Sequence, residues 1–203
     1  MSTLLYVRTS LYGAQAASSQ LAERFVAEWR TRNPGGHVIT RDLAADPVPH
    51  LTAERFQAFS TAPEARTPEQ RAIVEYSDAL IDELRAADTI VLAVPMYNFG
   101  VPSTLKTYFD HVGRAGVTFR YTSTGPEGLL AGRRAYVFLT RGGIYGGEQD
   151  TQAPYLRQFL RFIGIESEFV FAQGLAYGEA ARQKSLAQAH EQIAGLVPVA
   201  LAA

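Results

Sequence analysis

A chain of 203 residues, 47% apolar and 19% charged, can bury enough surface for one large core and lies far from the composition of disordered proteins, so residues 1–203 read as a single domain. Its formal net charge of -1 and sequence pI of about 6.4 supply no field to gather nucleic acid or an acidic membrane surface. The absence of cysteine removes disulfides, thiolate metal sites and cysteine nucleophiles together.

The first apolar run, Leu4-Leu5-Tyr6-Val7, is too short for the core of a secretion signal, and no stretch approaches the roughly 18 apolar residues of a membrane span. A cytoplasmic protein is expected. Leu4–Val7 reads as a strand. After a polar loop, Leu21, Ala22, Phe25, Val26 and Trp29 recur with helical spacing until Asn33-Pro34-Gly35-Gly36 stops the helix, and His37–Thr40 follows as an edge strand. Pro47 and Pro49 forbid regular helix early in the excursion 41–66, which leaves room for one short helix near Ala53–Phe59. Thr67-Pro68-Glu69-Gln70 combines a capping box with proline at the first helical position. It opens a long helix whose buried stripe is Ile73, Val74, Leu80, Ile81 and Leu84.

Thr89–Val94 is continuously apolar and rich in β-branched residues, as a central parallel strand requires, and it ends at Pro95. A helix from about Ser103 buries Leu105, Tyr108, Phe109 and Val112, and a polar, aromatic stretch, Thr118–Gly128, follows it. Ala135–Leu139 is a fourth strand. A helix from about Thr151 turns Tyr155, Leu156, Phe159, Leu160 and Ile163 inward, before a fifth strand at Phe169–Ala172. The last helix covers about Glu179–Leu196, and the alanine-rich tail beyond it reads as a fraying helix. This alternation predicts an α/β three-layer sandwich: a five-stranded parallel sheet in the flavodoxin-like order 2-1-3-4-5, with helices on both faces. Ligands then bind at the carboxyl ends of the strands, where loops one, three and four emerge.

Each of those loops allows two readings. Thr9 to Ser19 brings hydroxyls and small residues to a helix start, which suits a phosphate, although Ser18 or Ser19 would serve equally as a helix cap. Met96-Tyr97-Asn98-Phe99-Gly100 offers an amide and two aromatics in a tight turn, suited to a flat heteroaromatic ring or simply to covering the sheet end. Thr140-Arg141-Gly142-Gly143 lets backbone approach a ligand, or is an ordinary glycine turn. Neither a G-x-G-x-x-G nor a P-loop pattern is present, and His37, His50, His111 and His190 lack metal-ligand spacing, so they read as surface or packing residues.

Taken together, Pro95-Met96-Tyr97-Asn98-Phe99, Leu105-Lys106-Thr107-Tyr108-Phe109-Asp110, Arg114-Ala115-Gly116-Val117-Thr118-Phe119-Arg120-Tyr121 and Gly125-Pro126-Glu127-Gly128 resemble the FMN-dependent NADH-azoreductase family. The likeness runs through Arg41-Asp42-Leu43, Phe162-Ile163-Gly164-Ile165 and Gly174-Leu175-Ala176-Tyr177-Gly178, which is nearly the whole chain. It implies a homodimer with one FMN in each of two interface sites, NADH or NADPH as electron donor, and quinones and aromatic azo compounds as acceptors. By the same resemblance Ser10, Ser18 and the amides of Ala16 and Ala17 hold the phosphate. Met96, Tyr97, Asn98 and Phe99 wrap the ring, Thr140, Arg141, Gly142 and Gly143 form a third contact, and Tyr121 and Phe162 line the substrate pocket, one of them from the partner subunit. Ala16 stands where the family commonly has serine, which removes one donor and predicts looser FMN binding. With flavin as the reacting group, no catalytic acid, base or nucleophile is required of the protein, and the expected kinetics are ping-pong. The alternative is a non-enzymatic flavodoxin that shuttles single electrons; such carriers are usually strongly acidic, and this chain is not.

Overall fold

The structure is a computed structural model and describes residues 2–197; the alanine-rich tail lies outside them. In chain order the elements are β1 (Thr3–Arg8), α1 (Ala17–Arg32), β2 (His37–Asp42), α2 (Ala53–Ser60), α3 (Pro68–Ala86), β3 (Thr89–Pro95), α4 (Ser103–Val112), β4 (Phe119–Thr122), β5 (Gly125–Gly128), β6 (Arg134–Thr140), α5 (Gln152–Phe162), β7 (Glu166–Ala172) and α6 (Glu179–Leu196). Five strands form one sheet in the order β2-β1-β3-β6-β7, every neighbouring pair parallel. That is the expected order of the parallel strands once β4 and β5 are set aside.

Alternation along each strand divides the core in two, because successive side chains point to opposite faces. Leu5, Val7, Ile90, Leu92, Val94, Val137 and Leu139 pack on one face with α3, α4 and α5; Leu4, Tyr6, Val91, Ala93, Tyr136 and Phe138 pack on the other with α1 and α6. β3 is buried along its whole length, which explains its unbroken apolar run. The capping box at Thr67 forms as the sequence predicts: the Thr67 hydroxyl accepts from the Gln70 amide at 3.3 Å, and the Gln70 side chain accepts from the Thr67 amide at 3.1 Å.

Two departures from the sequence reading exceed the one or two residues by which other strand ends differ. Thr118–Gly128 contains an antiparallel hairpin, β4 with β5, which pairs Phe119 with Gly128 and Thr122 with Gly125. Gly, Pro and Glu in β5 conceal it, since glycine and proline are poor strand formers. β7 starts at Glu166 instead of Phe169, because its first residues are polar and lie at the sheet edge, where Arg134 pairs with Glu166 and Glu168.

β1 leads to α1 on one face, while its neighbour β3 leads to α4 on the other. The crevice opened by that divergence is the topological switch point, and the loops after β1, β3 and β6 rim it.

Candidate active site

The first loop is tied to the second before any ligand is considered. Thr9 Oγ1 donates to the Ala93 carbonyl at 2.7 Å, Ser10 Oγ lies 3.1 Å from the Tyr97 hydroxyl, and the Leu11 amide donates to that hydroxyl at 3.2 Å. Ser10 also accepts from the Tyr12 amide at 3.2 Å, so its hydroxyl braces the loop as well as facing the crevice. α1 then starts without a side-chain cap: Ala16 occupies the N-cap in extended conformation, and the first turn contains no acidic residue. The amides of Ala17, Ser18 and Ser19 therefore lack acceptors within the helix. The cap role considered for Ser18 and Ser19 is not adopted. Both hydroxyls are fully buried and have no hydrogen-bond partner among the described residues. A buried hydroxyl left unmatched costs about 1–3 kcal/mol, and here two successive residues in the first turn of α1 carry one each.

In the second loop, Tyr97 and Gly100 exchange backbone hydrogen bonds of 3.1 and 3.0 Å across a two-residue turn. Asn98 and Phe99 both adopt positive φ, +48° and +65°. Asparagine tolerates this region; phenylalanine does not do so readily. The turn is held from behind: Gln152 Nε2 donates to the Pro95 carbonyl at 3.0 Å, and the Thr151 hydroxyl donates to the Phe99 carbonyl. The amides of Asn98 and Phe99 have no acceptor among the described residues, and the Phe99 ring is 61% exposed. The Met96 amide donates to the Thr140 carbonyl at 2.8 Å and so binds the second loop to the third.

The third loop depends on Arg141. Its guanidinium is enclosed, donating to Asp150 at 2.7 Å, Gln152 at 3.2 Å, Gln173 at 3.3 Å and the Tyr145 carbonyl at 3.4 Å, with the Phe171 ring 5.1 Å from its centre. The side chain is thus a positioning post beneath the loop, with four of its five N–H donors committed to these partners. Burial pushes the Asp150 carboxyl up, but the Ala153 amide, Arg141 and the Gln152 amide outweigh that and hold it below its usual value. A β-carbon at Gly143 would lie 2.7 Å from the Tyr145 phenol oxygen and would make that ring shift, whereas one at Gly142 would meet only the Ala176 methyl, at 3.5 Å. The Phe99 and Tyr145 rings meet edge to face at 5.7 Å and close the gap between loops two and three.

Tyr121 and Phe162 come together, but elsewhere. Phe119 joins them, its ring centre 5.6 Å from that of Tyr121 and 4.2 Å from that of Phe162. They line a cavity of about 650 Å³ with Leu51, Phe56 and Phe59 from the excursion 41–66. Gln152 at the start of α5 touches the second loop, and Phe162 at its end lies ten residues on, about 15 Å along the axis. His111 is a packing residue: it is fully enclosed, with Nδ1 3.0 Å from the Thr107 carbonyl and edge contacts to Phe59 and Tyr76, and burial lowers its pKa. The sequence reading missed Gln152, Asp150 and Gln173. A buried glutamine just inside a helix start is the one local signal for Gln152; nothing local marks the other two.

The family model described as a flavodoxin-like fold matches residues 2–197. The chain is 53% identical over 195 residues to the FMN-dependent NADH:quinone oxidoreductase of Cellvibrio japonicus, covering 95% of this chain and 97% of the relative. Among solved structures, the azoreductase of Bacillus anthracis str. Sterne superposes with a TM-score of 0.89 at 27% identity, over 97% of this chain and 99% of that one. An FMN-dependent NADH-azoreductase from Bacillus anthracis str. Ames Ancestor, in complex with FMN, gives 0.85 at 26% identity, over 98% and 100%. By these matches the chain belongs to the flavodoxin-like family that contains the FMN-dependent NADH:quinone oxidoreductases and the NADH-azoreductases.

Proposed function

We propose that this chain is an FMN-dependent NADH oxidoreductase that reduces quinones and aromatic azo compounds, working as a homodimer. The observation that supports it best is the row of unmatched donors along the crevice: the Ser18 and Ser19 hydroxyls, the first amides of α1, and the amides of Asn98 and Phe99. A dianionic phosphate answers the first group and the carbonyl-bearing edge of a flavin ring the second. When bound, FMN supplies the two-electron chemistry, accepting hydride from NADH and delivering it to the acceptor.

The residues divide the remaining work. Ala16 and Ala17 present backbone to the phosphate, Ser10 and Ser18 add hydroxyls, and the Ala16 position contributes no side-chain donor. Met96, Tyr97, Asn98 and Phe99 line the ring, and Thr140, Gly142 and Gly143 meet its far side over the Arg141 post. Phe162, at the far end of α5, and Tyr121, near it on β4, lie too far from their own chain's loops to close over them. In a two-fold pair they cover the partner's ring, with Leu51, Phe56 and Phe59 shaping the acceptor pocket. Sedimentation of the FMN-loaded protein as a single chain would remove this part of the proposal.

The test of the activity is an anaerobic titration. NADH added to the FMN-loaded protein is expected to bleach the flavin before any acceptor is present, and menadione and methyl red are then turned over catalytically. Bleaching without turnover would return the protein to the electron-carrier reading, and no bleaching at all would overturn the proposal. Ser18→Ala tests the phosphate cradle separately. Loss of one hydrogen bond to a charged group, roughly 1.5–3 kcal/mol, raises the FMN dissociation constant roughly 10- to 150-fold. The same substitution removes an unmatched buried hydroxyl, so the FMN-free protein melts no lower than before; equal loss of both affinity and melting temperature would assign Ser18 to packing.

A further inference from the structure

We propose that Arg157 and Arg161, on the outer face of α5, form the subsite for the adenosine-diphosphate half of the dinucleotide donor. This rests on the reading of the protein as an NADH oxidoreductase and adds where the non-reacting end of the donor binds.

A groove of about 770 Å³ starts at Gly147 and Asp150, in the turn that follows the third loop, and runs along α5 past Pro154, Arg157 and Arg161 to Phe162. Its size falls within the roughly 300–1,000 Å³ of small-molecule sites. Arg157 and Arg161 are four residues apart on one helix and so share a face. Neither has a carboxylate within ion-pair distance among the described residues, which is unusual for this neighbourhood. Asp150 is tied to Arg141, and Glu166 and Glu168 are tied to Arg134. Arg157 is steadied by the Phe169 ring, 4.7 Å from its guanidinium carbon, which fixes its direction without neutralising it.

Two guanidiniums without a carboxylate partner, four residues apart on one helix and lining one groove, match a pyrophosphate bridge better than lysines would, because each presents a planar fork to a pair of phosphate oxygens. Pro126 and Pro154 supply apolar surface at the groove's walls for a purine. Arg157 lies seven residues beyond Asp150, about 10 Å along the helix, so a donor whose nicotinamide reaches the third loop lays its phosphates over the arginines. The hollow on the other side of the third loop, lined by Ile144, Tyr177 and Lys184, is smaller, about 360 Å³, and offers a single cation.

The experiment follows reduction of the FMN-loaded protein by stopped flow, with NADH and with 1-benzyl-1,4-dihydronicotinamide, which carries no phosphate. In the double variant Arg157→Gln/Arg161→Gln, the apparent dissociation constant for NADH is expected to rise at least about tenfold. The limiting rate of reduction, the FMN content and the constants for the benzyl donor move less than twofold. Raising the ionic strength weakens NADH binding to the unaltered protein and affects the variant less. Arg161→Lys retains part of the affinity, and calorimetry with adenosine diphosphoribose shows binding to the unaltered holoprotein that the double variant loses. An unchanged NADH constant in the double variant, an equal change for both donors, or transfer of the effect to Lys184→Gln would each overturn the subsite and leave the oxidoreductase reading standing. Failure of NADH to reduce the unaltered protein would bring down both.

Discussion

Arg141→Met is expected to destabilise the protein by about 3–5 kcal/mol and to abolish tight FMN retention, because it leaves a carboxylate without its cation in an enclosed place. The Arg141 side chain has no exposed surface and that of Asp150 only 15%, so water cannot fully replace the lost partner. Gln152, Gln173 and the Tyr145 carbonyl lose a donor at the same time, and Gln152 is the residue that holds the Pro95 carbonyl behind the second loop. Stability and cofactor retention should therefore fall together, through the partners that Arg141 holds beneath the third loop. Denaturant unfolding at neutral pH, with flavin absorbance after gel filtration, reads both. A variant within about 1 kcal/mol of the original would show that the network contributes little.

The pH dependence has a definite sign. Asp150 is held below its ordinary value in the folded chain, so its contribution is complete above the unfolded value, near about 3.9, and is lost as pH falls through the folded value. In Arg141→Met, burial persists while the guanidinium is gone, which moves the carboxyl upward. The acid limb of the stability profile then begins at higher pH than in the unaltered protein.

Gly128→Ala has the second large expected effect, about 3–4 kcal/mol. A β-carbon at 128 would lie 2.0 Å from the Gly164 nitrogen and 2.3 Å from the Ile163 carbonyl carbon, both of them backbone atoms that cannot rotate aside. Gly164 is committed in return: its φ is +92°, and a β-carbon on it would come within 3.0 Å of Gly128. The two glycines let the β4–β5 hairpin cross the end of α5, and the Leu130 amide donates to the Ile163 carbonyl at 2.9 Å beside the crossing. Opening it displaces Tyr121 and Phe162, so acceptor turnover drops further than FMN content does. Gly195→Ala, in α6 with nothing within 4 Å, is the control and is expected to stabilise by about 0.5–1 kcal/mol.

The parts of the fold visible in the sequence were those fixed by short-range physics. An apolar run rich in β-branched residues marks β3, helical spacing marks α1 and α3, and four adjacent residues specify the cap at Thr67. The hairpin was hidden because its strands owe their pairing to a glycine crossing with residues near 164, not to alternation. The three ligand loops were legible as loops, and the residues that set their shape were not. Ser10 meets Tyr97 and Arg141 meets Gln173, contacts between segments 87 and 32 residues apart that no local pattern encodes. For the same reason the place of Arg141 beside Gly142 is evident in the sequence, and the direction of its side chain, toward Asp150, Gln152 and Gln173, is not.

The ties between the loops also limit how this site can change over evolutionary time. Ser10 with Tyr97, Met96 with Thr140, and Gln152 with Pro95 make one mechanical unit of three segments that are remote in sequence. Substitutions within such a unit interact by about 0.5–3 kcal/mol instead of adding, so the effect of a change in one loop depends on what the other two contain. Replacing a single loop by that of a relative would inherit half of each tie and disrupt the rest, whereas transferring all three with Gln152 would preserve them. The groups most open to independent change lie outside the unit, in the segment 41–66 with its Leu51, Phe56 and Phe59. New acceptor preferences can arise there while the cofactor cradle stays inherited as a block.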